Sequence, residues 1–126
     1  MKWIDVKDLN LKGKDDKRFV SQVRGDSMEP RIKDDDYCFF RADVPLSRND
    51  KIVLVQHHSI NDLDNGGRYT VKKYKSYKSK EPSKLNDVVE LLSLNKKYET
   101  IVLEDESDED FKVVAEFIQV LRGENH

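Results

Sequence analysis

Gly25-Asp26-Ser27-Met28-Glu29-Pro30, read with the segment Phe19-Val20-Ser21-Gln22-Val23-Arg24 before it, decides how the chain folds. Alternating side chains mark a half-buried strand, and a glycine followed closely by a proline marks its end. The pattern predicts a strand that stops in a sharp turn and leaves the Ser27 hydroxyl exposed at the bend. Ser27 is the candidate nucleophile. Further along, Tyr69-Thr70-Val71-Lys72-Lys73 is a second β-patterned segment. Alternation places Tyr69, Val71 and Lys73 on one face and Thr70 and Lys72 on the other. With Val71 in the core, Lys72 lies opposite it beside Thr70, whose hydroxyl can hold the amine. A free lysine titrates at about 10.4, so base work near neutral pH needs its charged form disfavoured by about 2 to 4 units, which only a dry pocket supplies. Lys72 is the candidate base and Lys73 the alternative. Met28, Ile32 and Val71 are the expected walls. The main-chain N–H groups of Ser27 and Asp26 are the expected oxyanion donors, because no side chain of the motif can serve.

Outward from these two stretches the pattern is β almost throughout. Residues 37–41 are aromatic-rich, residues 52–55 form a continuous apolar run of strand length, and residues 68–74, 88–94, 100–103 and 111–121 complete the strand set. The last is β-branched and aromatic enough to be a strand rather than a helix, bent near Ala115-Glu116. Turn chemistry separates the strands at Lys33-Asp34-Asp35-Asp36, at Arg48-Asn49-Asp50 and at the long tip Asn61-Asp62-Leu63-Asp64-Asn65-Gly66-Gly67. One short helical turn is expected over residues 28–32. Residues 1–18, with Trp3-Ile4-Asp5-Val6 as a short strand or docking arm, precede a domain over 19–122 and a tail over 123–126.

At 126 residues, 37% hydrophobic and 38% charged, the chain supports one domain with a modest core and solvated loops. No apolar run approaches the ~18 to 20 residues that cross a bilayer, and the N-terminus lacks the apolar stretch of a signal peptide, so a cytoplasmic protein is expected. Cys38 is the single cysteine and lies in the apolar run Tyr37-Cys38-Phe39-Phe40, where a packed thiol is the expectation. His57, His58 and His126 are not spaced for a metal site with it, and no metal or cofactor is expected. Residues 68–84 carry seven basic side chains against the single acid Glu81, while every charged residue over 99–110 is an acid. Both blocks predict solvated hairpin tips. Tyr69, Tyr74 and Tyr77 near the lysines raise nucleic-acid binding, but a net charge of −2 and the lack of a nucleic-acid fold pattern argue against it.

Gly25-Asp26-Ser27-Met28-Glu29-Pro30, Ile32-Lys33-Asp34-Asp35-Asp36-Tyr37, Asp50-Lys51-Ile52-Val53-Leu54-Val55, Arg68-Tyr69-Thr70-Val71-Lys72-Lys73-Tyr74 and Leu91-Leu92-Ser93-Leu94-Asn95 follow one another in an order that resembles the LexA/UmuD-type peptidase domain. The resemblance runs from about residue 19 to residue 121. It implies a mostly β fold, a partly open, signal-peptidase-like barrel with very little helix. It also implies that Ser27 is the nucleophile and Lys72 the general base of a serine endopeptidase, with a peptide in extended form as substrate. That family cuts a bond upstream of the serine, usually in its own chain, in stress-response (SOS) and transcriptional regulation. Three departures matter. Asp35 stands where the family has glycine, so an aspartate must adopt a left-handed turn. Neither Ala-Gly nor Cys-Gly occurs among the 26 residues before Ser27, which points to a fused segment or a partner protein as the substrate. No helix-turn-helix segment is present. The competing reading is a catalytically silent regulatory module of a larger DNA-related protein, forming a homodimer through the apolar C-terminal strand.

Overall fold

The computed structural model describes residues 2–4, 17–44, 47–57, 60, 69–78, 87–104 and 111–121. The loop tip at 61–67, His58, His126, most of the N-terminal arm, the acidic run 105–110 and the end of the basic run lie outside them. Among the described residues every regular element is a strand: β1 (Lys2–Ile4), β2 (Arg18–Gln22), β3 (Tyr37–Arg41), β4 (Ile52–His57), β5 (Tyr69–Lys78), β6 (Asp87–Leu92), β7 (Ile101–Leu103) and β8 (Phe111–Leu121). They form one antiparallel sheet in the order β1-β2-β3-β8-β4-β5-β6-β7, open because its outermost strands do not pair with each other. The chain is mostly β with an incompletely closed barrel-like sheet. No helix is long and apolar enough to cross a membrane among the described residues.

The sheet serves two cores. One gathers Val23, Met28, Ile32, Cys38, Phe40, Leu54, Val71, Ala115 and Phe117. The other gathers Val53, Val55, Ile60, Leu91 and Leu103. Alternate residues of β4 feed opposite cores, which is why its sequence is apolar without a break rather than alternating. Phe40 stacks on Phe19 at 5.4 Å between centroids and meets Phe117 edge-on at 6.2 Å, so the first core, which also buries Cys38, has an aromatic centre.

β8 changes partners along its length. Its first half pairs with β4 and its second with β3, and Glu116 is opposite both Val53 and Arg41. The register skips Val114 against β4 and Ile118 against β3, so each half carries a bulge, which sharpens the local bend and twist. The expected kink at Ala115-Glu116 falls between them. β8 thus sits inside the strand order, and the outer strands are β1, from within the N-terminal arm and paired with β2, and β7.

Two further details differ from expectation. Lys75 and Lys78 do not lie in a loop tip: β5 runs on to Lys78, pairing with β6 from Lys73↔Leu92 to Lys78↔Asp87. The strand continues because Tyr74 and Tyr77 have cross-strand neighbours in Leu91 and Val88, and the Tyr77 hydroxyl donates to Glu90 Oε2 at 2.9 Å. That bond to a carboxylate holds the Tyr77 phenol above its ordinary pKa. β6 in turn stops at Leu92, short of the expected end, because residues 93–98 turn back toward Ser27. The expected helix at 28–32 is a single turn in which the Ile32 N–H donates to the Met28 carbonyl at 3.0 Å.

Candidate active site

Antiparallel pairing with β4 sets where each side chain of β5 goes. Thr70 lies opposite Val55 and Lys72 opposite Val53, on the face of the second core, while Val71 lies opposite Leu54 and enters the first. Lys72 is consequently 5% exposed. Its Nζ stands 2.9 Å from Ser27 Oγ, 3.1 Å from Thr70 Oγ1 and 3.3 Å from the Val71 carbonyl oxygen. Lys73, one residue on, points the other way, with its amine 3.7 Å from the Asp50 carboxylate. Strand alternation alone separates the two lysines.

The serine arrives from the other side through the turn after β2. Gly25 adopts φ 91°, a left-handed conformation that costs glycine nothing, and its N–H donates to Asp34 Oδ1 at 2.7 Å. This ties the serine turn to the 33–36 turn, where Asp35 takes φ 70° and donates its N–H to the Val23 carbonyl at 2.9 Å. The aspartate expected to replace a turn glycine therefore does so in a left-handed conformation. Beyond Ser27, Met28 and Ile32 anchor the turn in the first core, at 2% and 1% exposure.

Residues 93–98 close the site from a third direction. Asn95 donates its N–H to the Ser27 carbonyl at 3.0 Å and its Nδ2 to the Asp26 carbonyl at 3.1 Å. The Tyr98 hydroxyl donates to Asp26 Oδ1, and Lys97 Nζ lies 3.9 Å from Asp26 Oδ2. The bond from Tyr98 holds the Asp26 carboxyl below its ordinary pKa against an opposing effect of desolvation, with the Lys97 charge acting in the same direction as Tyr98.

Between these three segments lies a pocket of about 260 Å³, lined by Ser27, Thr70 and Lys72 at its reactive end, by Ile60, Ser93 and Ile101 in its walls, and by Asp26, Tyr98 and Glu99 among its more polar boundary. Of the residues singled out in the sequence, Ser27, Lys72 and Thr70 come together and Asp26 lies beside them. Met28, Ile32 and Val71 do not line the pocket: the turn directs the first two under the sheet, and strand alternation sends Val71 to the opposite face. Ile60 and Ile101 take the place expected for them. Asn95, Ser93 and Tyr98 were not foreseen as site residues. Ser93 and Asn95 belong to one of the quoted landmarks, but nothing in their identity reveals that the chain after β6 folds back onto the serine turn. Among the described residues no group of three or more His, Cys, Asp or Glu is placed to hold a metal ion.

A serine hydroxyl 2.9 Å from an almost fully buried amine, with a pocket beside both, pairs the two kinds of group that nucleophilic catalysis uses. A search of curated proteins finds no match to this chain. The family model described as Peptidase S24-like matches residues 3–118, nearly the whole length, and the chain therefore belongs to this LexA/UmuD-type peptidase family.

Proposed function

We propose that the chain is a serine endopeptidase domain in which Ser27 is the nucleophile and Lys72 the general base. The observation that carries this is the 2.9 Å approach of Lys72 Nζ to Ser27 Oγ by an amine that is 5% exposed. A buried environment favours the neutral amine, the form able to accept a proton. The three oxygens that described residues place around Nζ suit both forms. As an ammonium, Lys72 donates three hydrogen bonds, to Ser27, Thr70 and Val71. As a neutral amine it keeps two donors, for Thr70 Oγ1 and the Val71 carbonyl, and its lone pair faces the Ser27 hydroxyl. Proton transfer then needs no rearrangement of the amine.

In the reaction, Ser27 Oγ attacks the carbonyl carbon of a peptide bond as its proton passes to Lys72. The carbonyl oxygen becomes an oxyanion facing main-chain N–H groups of the serine turn, those of Ser27 and Asp26. Collapse of this intermediate breaks the C–N bond, and Lys72 returns the proton to the departing amine. Water, deprotonated by Lys72, then attacks the acyl-enzyme ester, releasing the carboxylic acid and restoring the Ser27 hydroxyl. The pocket beside the dyad has room for a side chain rather than a folded surface, which suits a substrate presented in extended form. Such a substrate is a segment fused to this domain or one of a partner protein, and its cutting serves regulation of the repressor or stress-response kind.

Labelling with a fluorophosphonate at mildly alkaline pH tests this. Wild-type protein is expected to form an adduct at Ser27, Ser27→Ala none, and Lys72→Ala to label about 10²- to 10⁴-fold more slowly. Wild-type protein that stays unlabelled, or Lys72→Ala protein that labels at the wild-type rate, rules the mechanism out.

A further inference from the structure

Asn95 touches neither Ser27 Oγ nor Lys72 Nζ, yet it holds both carbonyls that flank the α-carbon of the serine. Its Nδ2 donates to the Asp26 carbonyl at 3.1 Å and its own N–H to the Ser27 carbonyl at 3.0 Å. A peptide unit is planar, and in a trans peptide the C=O and N–H point in opposite directions. Fixing the Asp26 carbonyl therefore fixes the direction of the Ser27 N–H, and fixing the Ser27 carbonyl fixes the next plane. With both planes set, the direction in which the Cα–Cβ bond leaves the chain is set too, and one rotation about that bond carries Oγ to Lys72. Among the described residues the Ser27 N–H donates to no acceptor, while the Asp26 N–H lies against its own carboxylate.

The clamp is itself oriented. The Lys97 N–H donates to Asn95 Oδ1 at 3.0 Å, which assigns the other end of the amide as the donor to Asp26. The Tyr98 N–H donates to the Asn95 carbonyl at 3.2 Å, closing the turn, and the Tyr98 hydroxyl then reaches the Asp26 carboxylate. One short turn thus grips Asp26 by side chain and carbonyl, and Ser27 by carbonyl. An aspartate at position 95 would keep the acceptor for Lys97 but turn an oxygen toward the Asp26 carbonyl oxygen. The geometry requires the amide and not merely its shape.

We propose that Asn95 is a positioning residue of the peptidase reaction, with Tyr98 as its support: it orients the serine peptide planes so that the Ser27 N–H faces the developing oxyanion and Oγ faces Lys72. This rests on the Ser27–Lys72 reading above. Misplacement of a reacting group by about 1 Å can cost about 10²-fold in rate, and loss of one oxyanion donor costs about 10²- to 10³-fold.

The full chain and its Asn95→Asp, Asn95→Ala and Tyr98→Phe variants are titrated with the fluorophosphonate probe to separate the maximal inactivation rate from the probe's apparent affinity, across a pH series, with melting curves alongside. Tyr77→Phe, on the far part of β5, is the control. The expected result is a maximal rate about 10- to 100-fold lower in Asn95→Asp and Asn95→Ala, with apparent affinity where the wild type has it and, in Asn95→Ala, which adds no charge, the alkaline inflection unmoved. Tyr98→Phe, which loses one hydrogen bond, is expected to slow about 2- to 10-fold. Wild-type rates in the Asn95 variants overturn the inference and leave the dyad standing. A loss that merely tracks the unfolded fraction, in Tyr98→Phe as well as in the Asn95 variants, also overturns it, as does a moved inflection in Asn95→Ala, which would place Asn95 in the service of Lys72. Unlabelled wild-type protein removes the dyad and this inference together.

Discussion

At the scale of single residues, the chemistry depends on how few alternatives each polar atom has. Among the described residues Thr70 Oγ1, Ser27 Oγ and the Val71 carbonyl oxygen are acceptors around Lys72 Nζ, and Thr70 is buried with it. Thr70→Val keeps the shape and the β propensity but removes that acceptor, so probe labelling should slow about 10-fold while stability changes by no more than about 1 kcal/mol. Lys72 and Thr70 were legible in the sequence because a period of two leaves no freedom about which side chains share a face. Met28 was misassigned to the pocket because a turn has no such period: its side chain goes where the next bends send it. The Asp26–Tyr98 pair makes a second prediction. The Asp26 carboxyl titrates below its ordinary 3.8 in the folded state, so its contribution to stability is present above that value and is lost as pH falls through the folded one. Tyr98→Phe should therefore unfold more readily than wild type near neutral pH. In denaturant titrations the gap should narrow progressively below pH 3.8.

At the scale of elements, the two turns around the serine test how strictly backbone conformation limits sequence. Asp35 at φ 70° carries the strain of a left-handed residue, partly offset by its ion pair with Arg24 at 2.5 Å between exposed side chains. Asp35→Gly relieves that strain but loses the ion pair and gives the unfolded chain more freedom, so its stability should lie within about 1 kcal/mol of wild type. Asp35→Val, with a branched Cβ in the same conformation, should cost about 1 to 2 kcal/mol or more, read from denaturant midpoints. Most strands were legible from alternation and from the turn residues between them. The continuation of β5 to Lys78 was not, because the five lysines over 72–80 resemble a solvated loop until the β6 partners of Lys73, Lys75 and Lys78 are known. The fold-back of residues 93–98 was equally hidden: it depends on a hydrogen bond from Asn95 to a residue 69 positions earlier.

At the scale of the whole molecule, the two cores share β4 and β5, so neither is expected to melt alone. Leu54 belongs to the first and Leu91 to the second, and both are fully buried. Leu54→Ala and Leu91→Ala should each cost about 2 to 5 kcal/mol, and circular dichroism should record one cooperative transition in each variant rather than two steps. A two-step melt in either would mean that the cores are energetically separate. The same sharing bears on β8, which leaves β4 for β3 at Glu116, where its carboxylate meets Lys51 at 3.3 Å and Arg41 at 3.8 Å. Both halves meet at this crossover, each stitched to a different neighbour. The amide protons that its two ladders engage near Glu116 should consequently trade with deuterium only when the entire protein opens, making them an internal gauge of global stability against which slackening around the serine can be measured.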